Sequence, residues 1–167
     1  MKYIIILISI VFLNSHSIAE DTILDKKTFL SNNFSSKVPG HSYIILKGDI
    51  KKGVSSILRD TYHLPVIKYW KVDNKVVFIL EIIGKHEFIT TGFAVENNKI
   101  IDAKVLVYRE NYGWEIKYDN FLNQIKGNSL KSNGKLVKRI SNISGATLSV
   151  KAMRKLSKLS LYLYTKI

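Results

Sequence analysis

Six consecutive residues near the C-terminus, Ser144-Gly145-Ala146-Thr147-Leu148-Ser149, bring three hydroxyl groups to the start of a predicted helix. A threonine hydroxyl is a weak nucleophile that reacts only beside a positioned partner. The free N–H groups and the dipole of a helix N-terminus favour phosphate. Gly145 permits a turn with close backbone approach, and Ala146 keeps the site uncrowded. The segment could therefore hold a phosphate beside Thr147, but on these residues alone a simple N-cap at Ser144, with Thr147 in the first turn, is favoured.

A second group of aromatic and polar residues is Tyr108-Arg109-Glu110-Asn111-Tyr112-Gly113-Trp114-Glu115. Its aromatic side chains could line a flat ring ligand, or they could be ordinary core and hairpin residues. Glu110 and Glu115 could form a general acid and base pair, but nothing in their spacing requires it. Pairing of Glu110 with an arginine or with backbone N–H groups is favoured. A serine hydrolase is not predicted, because the region around Ser144 has no histidine and G-x-S-x-G is absent.

Four segments rich in β-branched and aromatic residues are predicted to be strands: Val66–Val72, Lys75–Ile83, Glu87–Val95 and Lys99–Arg109. Asp73-Asn74 and Asn97-Asn98 fit two-residue turns between them. Such a succession predicts an antiparallel meander, not alternating strands and helices. On the last strand, Ala103, Val105 and Val107 are expected to share one face.

The clearest predicted helix is Thr147–Leu163, in which Ala152, Leu156, Leu159 and Leu163 form an apolar stripe. Its basic residues are expected to lie on a solvated face: Lys151, Arg154, Lys155 and Lys158. Shorter helical segments are predicted at Asp25–Asn32, Ile50–Leu58 and Asp119–Lys126, the last closed by Gly127, and a polar loop at Asn128–Lys138. The predicted fold class is α+β, an antiparallel sheet with the C-terminal amphipathic helix packed on it and short additional helices.

Residues 1–19 have the pattern of a secretory signal peptide. Lys2 provides the charge, Tyr3–Leu13 is an apolar run broken only by Ser9, and Ser17-Ile18-Ala19 fits a cleavage site. The run is short for a membrane span, although an uncleaved anchor facing the periplasm is the alternative. We expect a periplasmic protein in which residues 20–167 form one domain.

Cysteine is absent, which excludes c-type haem, cysteine-ligated iron–sulfur clusters and disulfides. The histidines do not show a short metal-ligand spacing, and no metal site is predicted. The net charge is +13, carried mostly by lysine. Export and the scarcity of arginine argue against nucleic acid as a partner. A solvated surface that contacts anionic lipid or an acidic redox partner is expected instead, although composition bias would give the same charge.

The two groups together resemble the FMN-binding domain family, which includes the periplasmic C subunit of the sodium-translocating NADH:quinone reductase and the G subunit of the Rnf complex. Ser144-Gly145-Ala146-Thr147 resembles its attachment motif, and Tyr108–Gly113 resembles its Tyr-Arg-Glu-x-Tyr-Gly block. Phe121-Leu122-x-Gln124-Ile125-x-Gly127 resembles a further segment. Gly84-Lys85-His86 and Thr91-Gly92-Phe93 fit the strand before these blocks, so the resemblance covers about half the chain.

This resemblance implies FMN as the cofactor, attached to Thr147 through a phosphoester bond by an FAD-dependent protein FMN transferase. The implied cofactor-binding residues come from both groups: Ser144, Gly145, Ala146, Thr147, Leu148, Ser149, Glu110, Tyr112 and Gly113. The implied function is electron transfer with a membrane or periplasmic redox partner, which requires no catalytic residues and is closer to a carrier than to a stand-alone enzyme.

One position departs from the family pattern. The family usually has Asp six residues before the modified threonine, where this chain has Ser141. If the transferase reads that Asp, the chain would bind FMN without covalent attachment. A basic exported module without flavin is the third alternative.

Overall fold

A six-stranded antiparallel sheet forms the centre of the computed structural model, which describes residues 21–35, 37–60 and 62–167. Its strands are β1 Asp21–Thr22, β2 His41–Ile45, β3 Val66–Val72, β4 Lys75–Ile83, β5 Phe88–Glu96 and β6 Lys99–Tyr108. Their order across the sheet is β1-β6-β5-β4-β3-β2. The predicted signal peptide, residues 1–19, lies outside the described residues.

In the described residues, four α-helices and one 3₁₀ turn accompany the sheet. They are α1 Lys26–Phe34, α2 Gly48–Leu58, the 3₁₀ turn Trp114–Lys117, α3 Asp119–Leu122 and α4 Thr147–Tyr164. The predicted α+β class is confirmed. Among the described residues, no helix combines the length and the hydropathy that a membrane span requires.

The predicted meander is confirmed, and β3 and β4 have the predicted bounds. The turns between the strands are tight: Asp73, Asn97 and Asn98 adopt positive φ values of 49°, 49° and 60°, which Asp and Asn tolerate better than most residues. β1 and β2 were not predicted. β1 has only two residues, and four of the five residues of β2 are exposed, so neither has the apolar alternation of a half-buried strand.

The sheet is covered on both faces. The large core between the sheet and α4 includes the predicted stripe, because Ala152, Leu156, Leu159 and Leu163 are all buried. A smaller cluster on the other face contains Phe29 and Leu30 of α1. The two layers therefore place α1 and α4 on opposite sides of the sheet.

A β-bulge in β6 changes which side chains face α4. Thr90 pairs with Val107 and Thr91 pairs with Val105, which leaves Leu106 as the extra residue. Leu106 and Val107 both join the α1 cluster, so the prediction that Val107 shares a face with Val105 is wrong. Because a bulge shifts the alternation of the following residue, Tyr108 points to the α4 side.

The basic face of α4 is less solvated than predicted. Arg154 donates from Nε and Nη2 to the Ile140 carbonyl at 3.0 and 2.6 Å. Lys155 donates from Nζ to the Leu58 carbonyl, and burial lowers the pKa of Lys155. These two side chains tie neighbouring segments to the helix, while Lys151 is exposed as expected.

Candidate functional site

Tyr108 joins the end of β6 to the first turn of α4. Its hydroxyl donates to the Tyr112 carbonyl at 2.6 Å. Because that bond uses the only phenol proton, the Ser149 hydroxyl donates to the Tyr108 oxygen across 3.1 Å. Burial raises the pKa of Tyr108; the hydrogen bond from Ser149 opposes the rise, and the charges of Glu110 and Glu115 add to it. The segment after β6 is thus fixed to the start of α4.

Gly113 allows this close approach. Its φ is +83°, and a Cβ built there would lie 2.4 Å from Ser149 Oγ and 3.1 Å from the Tyr108 hydroxyl. A side chain at this position would therefore meet both steric strain in the backbone and a collision with α4. Gly113, which the resemblance placed in the cofactor site, is in contact with the helix that begins at Thr147.

Glu110 binds backbone rather than facing an open cleft. Its Oε1 accepts hydrogen bonds from the N–H groups of the turn between β4 and β5: Lys85, His86 at 2.8 Å and Glu87 at 3.1 Å. Of the two kinds of partner favoured for Glu110, an arginine or backbone N–H groups, the structure shows the backbone N–H groups. Through these hydrogen bonds, Glu110 of the Tyr108–Gly113 block holds the turn that begins with Gly84-Lys85-His86 in place.

The segment Ser144–Leu148, which resembles the family's attachment motif, is mostly exposed instead. Ser144, Gly145, Thr147 and Leu148 are exposed, and only Ala146 is buried among the first five residues of the motif. The N-cap of α4 is Ala146, and none of the described side chains caps the helix. The prediction of Ser144 as the N-cap is therefore wrong. An uncapped first turn leaves backbone N–H groups without a side-chain acceptor, which favours an anion there.

Asn142 contacts the candidate nucleophile and was missed by the sequence reasoning. Its Nδ2 donates to Thr147 Oγ1 at 3.0 Å. Asparagine five residues before a threonine carries no recognised motif, because the loop conformation alone brings the two together. The neighbouring Ser141 donates its backbone N–H to Gln124 Oε1 at 2.7 Å, which fixes the loop against the segment after α3.

A groove of about 390 Å³ opens beside this loop. It is lined by Glu115, Tyr118, Asn120, Phe121, Gln124 and Ile143. Its volume lies within the usual range of small-molecule pockets. Ile143 belongs to the groove and also accepts the N–H of Ala146 at 3.0 Å, so the groove adjoins the turn that leads to Thr147.

The groove and its surroundings have the chemistry that a flat, partly polar ring requires. Tyr112 is 75% exposed and Trp114 is 46% exposed, and Trp114 packs edge to face on Tyr118 with ring centroids 5.6 Å apart. Glu115 Oε2 is buried without a hydrogen-bond partner among the described residues. A polar atom in that state is ordinarily satisfied by a group outside the chain or by water. The residues present therefore fit a ligand with a phosphate, an aromatic ring and hydrogen-bond donors.

Residues 84–161 match the model of the FMN-binding domain. No curated protein and no solved structure matches the chain. The matched range begins in the turn after β4 and ends within α4, so it includes every predicted cofactor-binding residue and the groove, while β1 to β4 lie before it.

Proposed function

We propose that this protein is an exported electron carrier with FMN attached to Thr147, because residues 84–161 match the model of the FMN-binding domain, which indicates FMN as the cofactor. Bound FMN supplies the redox chemistry, and the protein supplies the binding site and its electrostatics. The function is that of a carrier rather than a stand-alone enzyme.

The observation that carries the proposal is the state of the Thr147 hydroxyl. Thr147 is exposed at an uncapped helix start, and Asn142 holds its oxygen from one side at 3.0 Å. Because the amide donates to that oxygen, the hydroxyl proton points elsewhere and stays available to a base of a transferase. An accessible and oriented hydroxyl is what group transfer to a side chain requires.

The attachment step is a phosphoryl transfer from FAD. The Thr147 oxygen forms a bond to the phosphorus of the FMN half, the pyrophosphate bond breaks, and AMP leaves. The hydroxyl proton goes to the base of the transferase. The chain itself contributes the acceptor oxygen, the Asn142 amide that orients it and the N–H groups of the first turn of α4, which stabilise the phosphate once it is bound.

We propose that the flavin ring binds in the groove that Ile143 lines. Glu115 is one of its lining residues, and its carboxylate, whose Oε2 has no partner among the described residues, would accept a hydrogen bond from a bound flavin. Tyr118 lines the groove and Trp114 packs on Tyr118, so both offer aromatic surface beside it. All of these residues lie within residues 84–161, the range that the family model matches.

We also propose that the protein is exported to the periplasm. The charged start, the apolar run and Ser17-Ile18-Ala19 support cleavage after Ala19 and a periplasmic location. The proposed partners are an FAD-dependent protein FMN transferase and a membrane or periplasmic redox protein. N-terminal sequencing of the protein from its host tests the export, with Glu20 as the expected first residue and Met1 as the result that favours a membrane anchor.

Flavin retention tests the proposed function. The chain is expressed with and without a periplasmic flavin transferase, and absorbance is measured before and after acid precipitation. We expect yellow colour that survives precipitation only when the transferase is present. A protein that is colourless under both conditions and does not quench the fluorescence of added FMN would contradict the flavoprotein proposal altogether.

Noncovalent FMN binding is the second candidate, and Ser141 favours it. The chain lacks the acidic side chain at that position, and the Ser141 backbone N–H is bonded to Gln124, so no carboxylate marks the loop for a transferase. Colour that appears with added FMN and disappears on precipitation, even with the transferase present, would select this candidate.

A further inference from the structure

The charges of this chain are distributed unevenly along the sequence. All 13 acidic residues lie between positions 20 and 119. The last 48 residues contain none, yet they carry ten of the 26 lysines and arginines. A segment of one sign without internal compensation attracts oppositely charged partners, because its field is not cancelled locally.

The fold gathers part of this charge around one open groove. The loop at 128–139 lies against α4 and encloses about 460 Å³. Six cationic side chains line it: Lys131, Lys135, Lys138, Arg139, Arg154 and Lys158. Its apolar lining residues are Leu136, Val137 and Ile140. We call this surface the cationic groove.

Hydrogen bonds to a buried amide hold the loop that forms one wall. Asn128 is fully buried; its Nδ2 donates to the Lys138 carbonyl at 3.0 Å, and its Oδ1 accepts from Lys138 N at 3.0 Å. A bridge between Leu130 and Leu136 closes the loop, and Arg154 ties the following segment to α4 through Ile140. The cations are therefore held together by the backbone even though they repel one another.

We propose that the cationic groove binds the phosphate headgroups of anionic phospholipids at a bilayer surface. Lysines near such a surface each add to the attraction. Val137 is 50% exposed in their midst, so an apolar side chain can enter the headgroup region while the flexible lysine stems reach outward to the phosphates. The inference does not depend on the flavin, and it assigns the expected peripheral membrane contact to one face.

An acidic protein fits the cationic groove less well. Protein interfaces are enriched in arginine and aromatic residues and depleted in lysine. Four of the six cations here are lysines, and the Arg154 fork is already used on the Ile140 carbonyl. Lysine is a hydrated point charge without the bidentate geometry that pairs with carboxylates, whereas a lipid surface presents many phosphates in no fixed arrangement.

The location of the cationic groove gives it a consequence for the flavin site. Arg154 lies two helical turns beyond Thr147, roughly 11 Å along α4. A bilayer bound at the groove would therefore hold Thr147 near the membrane surface, where a membrane redox partner is found.

Vesicle sedimentation tests this proposal. The full chain is mixed with vesicles of phosphatidylcholine alone or of phosphatidylcholine with phosphatidylglycerol, and the difference in binding is the readout. Any insertion of the apolar N-terminal run contributes to both lipids. We expect strong preference for the anionic vesicles, lost on adding salt. Lys131→Gln with Lys135→Gln should weaken binding by about fivefold for each charge removed.

Two lysines on the opposite face provide the matched control. Lys26 and Lys27 are exposed on α1, so Lys26→Gln with Lys27→Gln changes the net charge equally but leaves the cationic groove intact. This variant should bind like the wild type. An equal loss in both double variants would overturn the proposal in favour of general charge attraction.

Further binding experiments distinguish a lipid surface from a small anion and from an acidic protein. Val137→Ser should weaken vesicle binding without changing the melting temperature, because Val137 is exposed. Displacement by inorganic phosphate, but not by sodium chloride of equal ionic strength, would overturn the proposal in favour of a small-anion site. Binding of poly-glutamate that depends on Lys131 and Lys135, without binding to anionic vesicles, would overturn it in favour of an acidic protein.

Discussion

The block Tyr108–Gly113 and the segment Ser144–Thr147 lie at the same end of α4 and use their polar groups in opposite ways. In the block, the Tyr108 hydroxyl and the Glu110 carboxylate are bonded within the chain. In the segment, the hydroxyls of Ser144 and Thr147 are exposed, and one contact from Asn142 orients Thr147. The first region therefore builds the scaffold, and the second exposes the hydroxyl that we propose as the attachment site.

Two glycines with the same backbone conformation separate the regions most sharply. Gly113 and Gly145 both have φ of +83°, but only Gly113 has neighbours where a Cβ would go. Gly145→Ala should cost only the conformational term, about 1–2 kcal/mol. Gly113→Ala adds overpacking against Ser149 and should lower the free energy of unfolding by about 3 kcal/mol. Urea denaturation measures both, and equal losses would contradict the scaffold role of the block.

Removal of the Glu110 hydrogen bonds should give the next largest loss of stability. Glu110→Ala removes the acceptor of three turn N–H groups, and we expect a loss of about 1–2 kcal/mol because water replaces part of the interaction. Glu96→Ala removes a partly exposed carboxylate from the other end of β5 and serves as the control. Thermal unfolding followed by circular dichroism compares them. If Glu110→Ala instead left stability unchanged and abolished flavin binding, Glu110 would belong to the ligand and not to the scaffold.

Tyr108→Phe should destabilise by about 1 kcal/mol at neutral pH, since it removes a donor to Tyr112 and an acceptor for Ser149. Its pH dependence has a definite sign. Burial raises the pKa of folded Tyr108 above its ordinary value, so its contribution is present below about pH 10 and is lost as pH rises through the folded pKa.

Unfolding of wild type and of Tyr108→Phe at alkaline pH measures this pH-dependent contribution of Tyr108 to stability. Tyr62, whose pKa burial raises to about 12, contributes with the same sign to both proteins and cancels in the comparison. The gap between wild type and Tyr108→Phe should narrow above pH 10. A gap that widened there would mean that the folded state favours ionised Tyr108.

Ser141→Asp should have the smallest effect on the fold and a selective effect on modification. Ser141 is exposed, so stability should change by less than about 0.5 kcal/mol. The fraction of protein that carries FMN should rise if the transferase reads this position. Ser132→Asp adds the same charge at another exposed loop position. An equal rise in both variants would attribute the effect to net charge.

The sequence predicted the features that depend on short-range pattern. The strands β3 to β6 and the helix from Thr147 have strong periodicity, and their bounds were close to those observed. The stripe from Ala152 to Leu163 followed from the same periodicity. The prediction that Glu110 pairs with an arginine or with backbone N–H groups followed from weighing common roles against rare ones.

Features that arise from the register between distant segments were not predictable in this way. The extra residue Leu106 depends on how β5 and β6 pair, and it decides that Tyr108 points at α4. The contact of Asn142 with Thr147 depends on a loop conformation with no local signature. Ser144 has a side chain suited to capping, yet the turn around Gly145 makes Ala146 the last residue before the helix.

The most direct test of the central claim is peptide mass spectrometry of the chain coexpressed with the flavin transferase. We predict an FMN-sized adduct on the peptide that contains Thr147, absent from Thr147→Ala and partly retained in Thr147→Ser, which keeps a hydroxyl. Absence of the adduct from both wild type and Ser141→Asp, in cells where the transferase modifies another substrate, would contradict covalent attachment at Thr147.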